Sequence, residues 1–317
     1  MRSSSIKVRL CVLAGILFFC VFGSASAAEK PAPGSDEAIR QSWNEWNAPF
    51  EPFGIIGNIY YVGATGISSF LITTPQGHIL IDTGFEMTVP RITNSLAKLG
   101  FRLQDIKFLL SSHAHLDHTG GHALMKSLTG AKICISEADG TLLASGGTTD
   151  FTPYSTNMTA YPPATADRLL NDGDTVKLGG VTLTCHLTPG HTKGCTTWTM
   201  DVEDEGRTYH VLFFGSTTVL EGVRLLNNPK YPRITEDYTA SFKKLKALSC
   251  DVFLAPHAGF FKLAEKSNRL VRGEKPNPFI DPAGYRSFIE ESERALEKRL
   301  DQEIAYRNTH PKIRDGR

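Results

Sequence analysis

The run Ser112-His113-Ala114-His115-Leu116-Asp117-His118-Thr119-Gly120-Gly121 constrains this chain more than any other segment. Three histidines and one aspartate fall within six residues, directly after Ile106–Leu110, which reads as a short buried strand. Residues two apart in an extended chain point the same way, so His113 and His115 can address one point. Asp117 and His118 stand where the chain turns into a helix expected from about Thr119 to Leu128, and can address a neighbouring point. Neutral imidazole and carboxylate are donors that zinc accepts. Structural zinc sites mostly use Cys and fill all four positions, whereas no Cys lies near this run. A strand end is also where α/β folds commonly place their sites.

Two further histidines share that context. Thr188-Pro189-Gly190-His191-Thr192 follows a strand ending near Leu187, and Ala255-Pro256-His257-Ala258-Gly259 follows a buried strand at 251–255. Pro- and Gly-rich loops let backbone approach a site closely. Beside the main cluster, His191 and His257 become ligand candidates. His122 lies one turn into the next helix and reads as a helix-face residue. His78, His186, His210 and His310 have no ligand context.

The rest of the pattern is a layered α/β sandwich. Strands are expected at 58–62, 68–73, 78–82, 131–135, 175–187, 195–202 and 208–214. Helices are expected from Ser35 or Asp36 to Trp46, and at 87–99, 137–144, 236–248 and about 283–304. Residues 49–57 read as loop. The stretch 145–167, rich in Gly, Thr, Ser and Pro with Phe151 and Tyr154, is long enough to be functional or mobile, and with 217–228 it can wall a cleft.

Residues 1–27 carry Arg2, Lys7 and Arg9, then the 13-residue apolar run Leu10–Phe22, then small residues ending Ala25-Ser26-Ala27. That is the pattern of a cleaved signal peptide, and the apolar run is short of the roughly 20 residues of a spanning helix. The expected product, 28–317, is one domain exported to the periplasm, without stable membrane association. It carries 31 basic and 33 acidic residues, net −2, which argues against a nucleic-acid partner. It is expected to be a monomer. Cys134, Cys185, Cys195 and Cys250 remain after cleavage; export permits disulfides, but the spacing chooses no pairing.

His113 to His118, Pro-Gly-His at His191, the final His257 and Ile81-Asp82-Thr83-Gly84 together resemble the metallo-β-lactamase superfamily, over roughly residues 45–300. The resemblance implies a four-layer αβ/βα sandwich, two mixed β-sheets with helices on the outer faces, and a structural Asp82 near the metal-binding loop. Thioesterases of the glyoxalase II type place a metal-bridging Asp after a later strand. Here Phe213-Phe214-Gly215-Ser216 has Ser216 there, and no Cys ligand replaces it. In this, and in Trp46–Phe53, Asn58–Gly63, Tyr231-Pro232, Glu236–Tyr238 and Asn277–Pro282, the chain is most similar to subclass B3. Tyr285 stands where many relatives place a Cys that pairs at the Cys250 position, and Phe213 stands where some relatives place the partner of Cys195.

Carried over residue by residue, the resemblance implies two zinc ions per chain, about 3.5–4 Å apart. His113, His115 and His191 hold the first; Asp117, His118 and His257 hold the second. The implied reaction is hydrolysis of the β-lactam amide of penicillins, cephalosporins and carbapenems by a zinc-bound hydroxide, conferring antibiotic resistance. Asp117 would orient the nucleophile, Ser216 would contact zinc-bound water or substrate, and Thr218 would bind the substrate carboxylate. The alternatives are a lactonase or glyoxalase II-like thioesterase on the same fold, or a non-catalytic zinc carrier.

Overall fold

The computed structural model describes residues 35–154 and 158–310, so the expected signal peptide lies outside the described residues. The chain divides into two compact units, Met1–Arg40 and Gln41–Arg317. Ser35 opens the helix α1 (Asp36–Trp46), which begins in the first and ends in the second, its Oγ accepting from the Ala38 amide at 3.2 Å. All the described strands lie in the second unit.

Its first sheet runs in chain order through β1 (Phe53–Ile56), β2 (Ile59–Tyr61), β3 (Phe70–Thr74), β4 (Gly77–Ile81), β5 (Ile106–Leu110), β6 (Lys132–Ser136) and β7 (Arg168–Leu170). Pairings are antiparallel from β1 to β4 and parallel from β4 to β7. The second sheet contains β8 (Thr175–Leu178), β9 (Val181–Leu187), β10 (Thr196–Asp204), β11 (Arg207–Phe213) and β12 (Val252–Leu254), in the order β12-β11-β10-β9-β8. Only β11–β12 is parallel there. Both sheets are therefore mixed.

Side chains alternate across a strand, and here both faces are apolar. Phe70, Ile72, Ile79, Ile81 and Leu110 share one buried cluster with Leu183, Trp198, Met200, Val211 and Phe213 of the second sheet. Leu71, Leu80, Leu109 and Ile133 join Val89, Ile92 and Leu96 of α2 (Val89–Lys98), Met125 of α4 (His122–Thr129) and Leu143 of α5 (Glu137–Ala144) in another. Against the second sheet, Phe253 meets Tyr285 and Phe288 of α8 (Pro282–Thr309) at ring separations of 5.3 and 5.0 Å. α6 (Ile234–Ala247) packs on α8 and buries Tyr238, Phe242 and Leu245 in the core the sheets share. The layers are helix, sheet, sheet, helix, as expected.

Three elements went unread in the sequence, and two others divide. Phe53–Ile56, read as loop between Pro52 and Gly57, is paired through Phe53↔Tyr61 and Gly54↔Tyr60. The three-residue β7 exists through its parallel pairing with β6. α7 (Leu263–Val271) was obscured because its buried face includes Lys266, whose Nζ reaches Asp281 at 2.9 Å. The stretch 175–187 is a hairpin that turns at Gly179 and Gly180, both with positive φ. The helix expected from Thr119 is two pieces, α3 (Leu116–Thr119) and α4, with Gly120-Gly121 between them. A Cβ at Gly121 would lie 2.6 Å from Val89 Cγ2 and 2.9 Å from the Thr83 carbonyl oxygen. No described helix is long and apolar enough to cross a membrane.

Candidate metal centre

The histidine loops leave the C-terminal ends of strands. His113 and His115 follow β5, with Asp117 and His118 opening α3; His191 follows β9, Ser216 follows β11, and His257 follows β12. An isolated antiparallel bridge from Ile67 to His257 and a 2.8 Å bond from the Ser68 amide to the Pro256 carbonyl tie the last loop to the first sheet.

These loops bring together all six residues expected as ligands. Donor atoms of His113, His115 and His191 lie within 4.8 Å of one another, as do those of His113, Asp117 and His118. The two groups share His113, and the His113 and His118 rings are 4.2 Å apart. His257 stands at the far end, its Nε2 3.6 Å from Asp117 Oδ2 and its ring 5.0 Å from that of His118. Trp46 and Phe260 flank the His257 ring at 5.5 and 5.2 Å.

Hydrogen bonds select the ring nitrogen that each of three histidines presents. His191 Nδ1 donates to the Thr218 carbonyl at 2.7 Å, leaving Nε2 free. His115 Nε2 bonds Asp150 Oδ2 at 3.1 Å, leaving Nδ1. Ser112 Oγ donates to Asp82 Oδ2 at 2.6 Å, so toward His113 Nδ1, 3.1 Å away, it accepts, which leaves His113 Nε2. Such outer bonds fix the tautomer and orientation of a metal-binding imidazole. Asp82 also accepts from the Ser112 amide at 2.7 Å; its φ of 59° is left-handed, a conformation Asp tolerates better than most residues. This matches the structural part expected of it.

Burial, reinforced by neighbouring histidines, holds His113 well below the usual range, lowers His191 to about 3 and His257 to about 4. These rings are neutral at pH 7, the form that binds a cation. Burial opposes ionisation of Asp117, but His118 beside it outweighs burial and holds the carboxyl well below its ordinary value. Burial likewise disfavours charge on His118, yet Asp117 and then Asp82 push it up to about 10. His118 is fully buried, and neither ring nitrogen makes a well-formed hydrogen bond; Asp117 Oδ2 and Asp82 Oδ2 lie 3.2 and 3.5 Å away. A buried polar group without a hydrogen bond is costly. A divalent cation answers this: it takes an imidazole lone pair and neutralises a carboxylate together. All-nitrogen-and-oxygen donors in sets of three suit zinc with an open position.

Ser216 is buried, and its Oγ accepts from the Thr218 amide at 3.3 Å. Thr218 is exposed, while its carbonyl serves His191 and the Tyr238 hydroxyl. The two loops expected to wall a cleft meet at Gly222, where a Cβ would lie 3.1 Å from Pro153, and just beyond the second loop the Tyr231 ring lies 5.0 Å from that of Phe151. His122 bonds Thr83 Oγ1 and Ser111 Oγ, each at 2.8 Å, and stays out of the cluster. Cys134, Cys185, Cys195 and Cys250, the cysteines among the described residues, are free thiols, with burial pushing Cys134 up to about 11 and Cys185 to about 12. Sequence reasoning missed Asp139, Asp150 and the Thr218 carbonyl. Each acts across the fold, and no local spacing marks it.

The model of the metallo-β-lactamase superfamily matches residues 62–257. Among solved structures, the FEZ-1 metallo-β-lactamase from Legionella gormanii is 45% identical, with a TM-score of 0.80, covering 81% of this chain and 98% of that one. BJP-1, a subclass B3 metallo-β-lactamase of Bradyrhizobium japonicum, is 42% identical with a TM-score of 0.78, covering 84% and 99%. Among curated relatives, human mitochondrial persulfide dioxygenase ETHE1 is 31% identical over 124 residues, 39% of this chain and 38% of that protein. The chain thus spans under two fifths of that relative's length. Fold, donor set and family match agree: this chain belongs to the metallo-β-lactamase superfamily, a family of zinc-using enzymes, and its structural neighbours are subclass B3 metallo-β-lactamases.

Proposed function

We propose that this protein is a periplasmic dizinc β-lactamase, acting as a monomer, that hydrolyses the amide bond of β-lactam antibiotics. The observation that carries the reading is the pair of adjacent donor groups built only from His and Asp and sharing His113. Likeness to subclass B3 enzymes over nearly their full length supports it. His113, His115 and His191 would hold one zinc, and Asp117, His118 and His257 the other. Bound zinc supplies Lewis acidity and a water of lowered pKa.

The chain's own residues do the rest. Asp117, kept ionised beside His118, orients the attacking water, whose proton ends on the lactam nitrogen. The water oxygen bonds the lactam carbonyl carbon, the C–N bond breaks, and the nitrogen leaves with a proton. Asp150 and the Thr218 carbonyl hold His115 and His191 in place throughout. In this reading Thr218, an exposed residue, binds the substrate carboxylate, and Ser216 anchors the same turn through the Thr218 amide.

The test is turnover of a chromogenic cephalosporin by the protein lacking residues 1–27, before and after chelation and after zinc is restored. Chelator-sensitive, zinc-restored turnover is expected. Activity confined to a lactone, a thioester or a persulfide would move the protein to another branch of the superfamily. Fractionation of cells expressing the full chain checks the compartment.

A further inference from the structure

We infer that Asp139 is a positioning residue: its buried carboxylate locks the His113–His115 loop to the His191 loop and so holds three nitrogen donors convergent. The inference rests on reading those histidines as a metal site. Asp139 stands in the first turn of α5, is 1% exposed and touches none of the three imidazoles by hydrogen bond. Its Oδ2 accepts from the Ala114 amide at 2.9 Å and from Thr192 Oγ1 at 2.8 Å; its Oδ1 accepts from the Gly194 amide at 2.8 Å. Ala114 lies between His113 and His115, and Thr192 directly follows His191. One carboxylate therefore spans two loops that the chain separates by more than seventy residues.

The surroundings are built around that contact. Ser136 Oγ donates to the Gly194 carbonyl at 2.6 Å, so the start of α5 grips the His191 loop twice. A Cβ at Gly194 would lie 2.2 Å from Ser136 Oγ and 2.7 Å from Asp139 Oδ1, which leaves room there for glycine alone. A buried carboxylate is costly unless it is hydrogen-bonded, and here three donors satisfy it. Asparagine would keep the shape but present an N–H to one of those three donors, opening the joint between the loops.

Asp139→Asn is expected to weaken binding of Co2+ to the metal-stripped protein by about 10–100-fold and to shift the visible cobalt bands. Leu296→Ala, in α8, serves as a control that lowers Tm by core loss and leaves the cobalt spectrum alone. Should Asp139→Asn fail to fold, Thr192→Val removes one of the three bonds and is read the same way, with a smaller shift expected. Cobalt affinity and bands unchanged in these variants, or an equal change in Leu296→Ala, overturns the assignment. Wild-type protein that binds no Co2+ overturns the metal-site reading itself, and this assignment with it.

Discussion

The two halves of the histidine cluster are held in different ways. In one half, His113, His115 and His191 each have the outer ring nitrogen bonded, to Ser112 Oγ, Asp150 and the Thr218 carbonyl. In the other, Asp117, His118 and His257 face chiefly one another, at 3.2 and 3.6 Å, and both His118 nitrogens lack a well-formed hydrogen bond. The first half has its donors oriented by protein bonds alone. The second needs a cation to settle its charges. Proteins commonly gain affinity by fixing a site beforehand, and here that is done for one set of donors.

The largest expected effect lies in the second half. Asp117→Ala removes a metal donor and the group that orients the attacking water, and is expected to lower kcat by about 10²–10⁴-fold. It should also leave about one zinc per chain, read by metal analysis after dialysis. Full activity with two zincs retained would end the division drawn above. In the first half, Asp150→Ala frees His115 Nε2 and is expected to weaken one metal by about 10–100-fold, measured by competition with a chelator. An equal weakening of both metals would show that the halves are not separately held.

A smaller effect concerns the scaffold under both halves. His122 is buried between Thr83 and Ser111, and burial lowers it to about 3. Between that value and the ordinary 6.5 the unfolded chain binds the extra proton, so stability rises with pH across this window and is lost as pH falls through it. His122→Phe leaves the Ser111 hydroxyl without a partner and the Thr83 hydroxyl with only its 3.5 Å bond to the His118 carbonyl, a cost of about 1–3 kcal/mol at pH 7. The variant should show a flatter acid limb in Tm against pH; a limb as steep as in wild type would remove His122 from the account. The smallest effect is expected at the cleft rim. Thr218→Val should raise KM a few-fold, about 1 kcal/mol, with kcat and metal content unchanged. A fall in kcat would instead mean that the turn carrying the Thr218 carbonyl had moved off His191.

How far the fold could be read in advance varied with the kind of signal. Ile79–Ile81, Leu109–Leu110 and Trp198 lie in strands buried on both faces, and continuous apolar runs announce such strands. Phe53–Ile56 and Arg168–Leu170 are four and three residues long and depend on their neighbours for pairing, so nothing local distinguishes them from loop. Lys266 broke the apolar face of α7 because its partner, Asp281, caps a different helix. At the site, His113 to His118 were legible because the donors crowd one loop. His191 and His257 were legible through their Pro- and Gly-rich strand ends.

The sequence by itself determined the chemistry of the donors. Three histidines and an aspartate within six residues after a buried strand commit this protein to a metal, because few other uses exist for such a set at a strand end. Tertiary structure alone decided which nitrogen of the His113, His115 and His191 rings is free, that His113 is common to both groups, and that Asp139 and Asp150 steady the loops. The reason is geometric. Ligand identity is a property of side-chain type and travels with the chain. Ring orientation is set by hydrogen bonds such as those from Thr192 to Asp139 and from His191 to Thr218, which join residues 53 and 27 positions apart and leave no periodic trace in the chain.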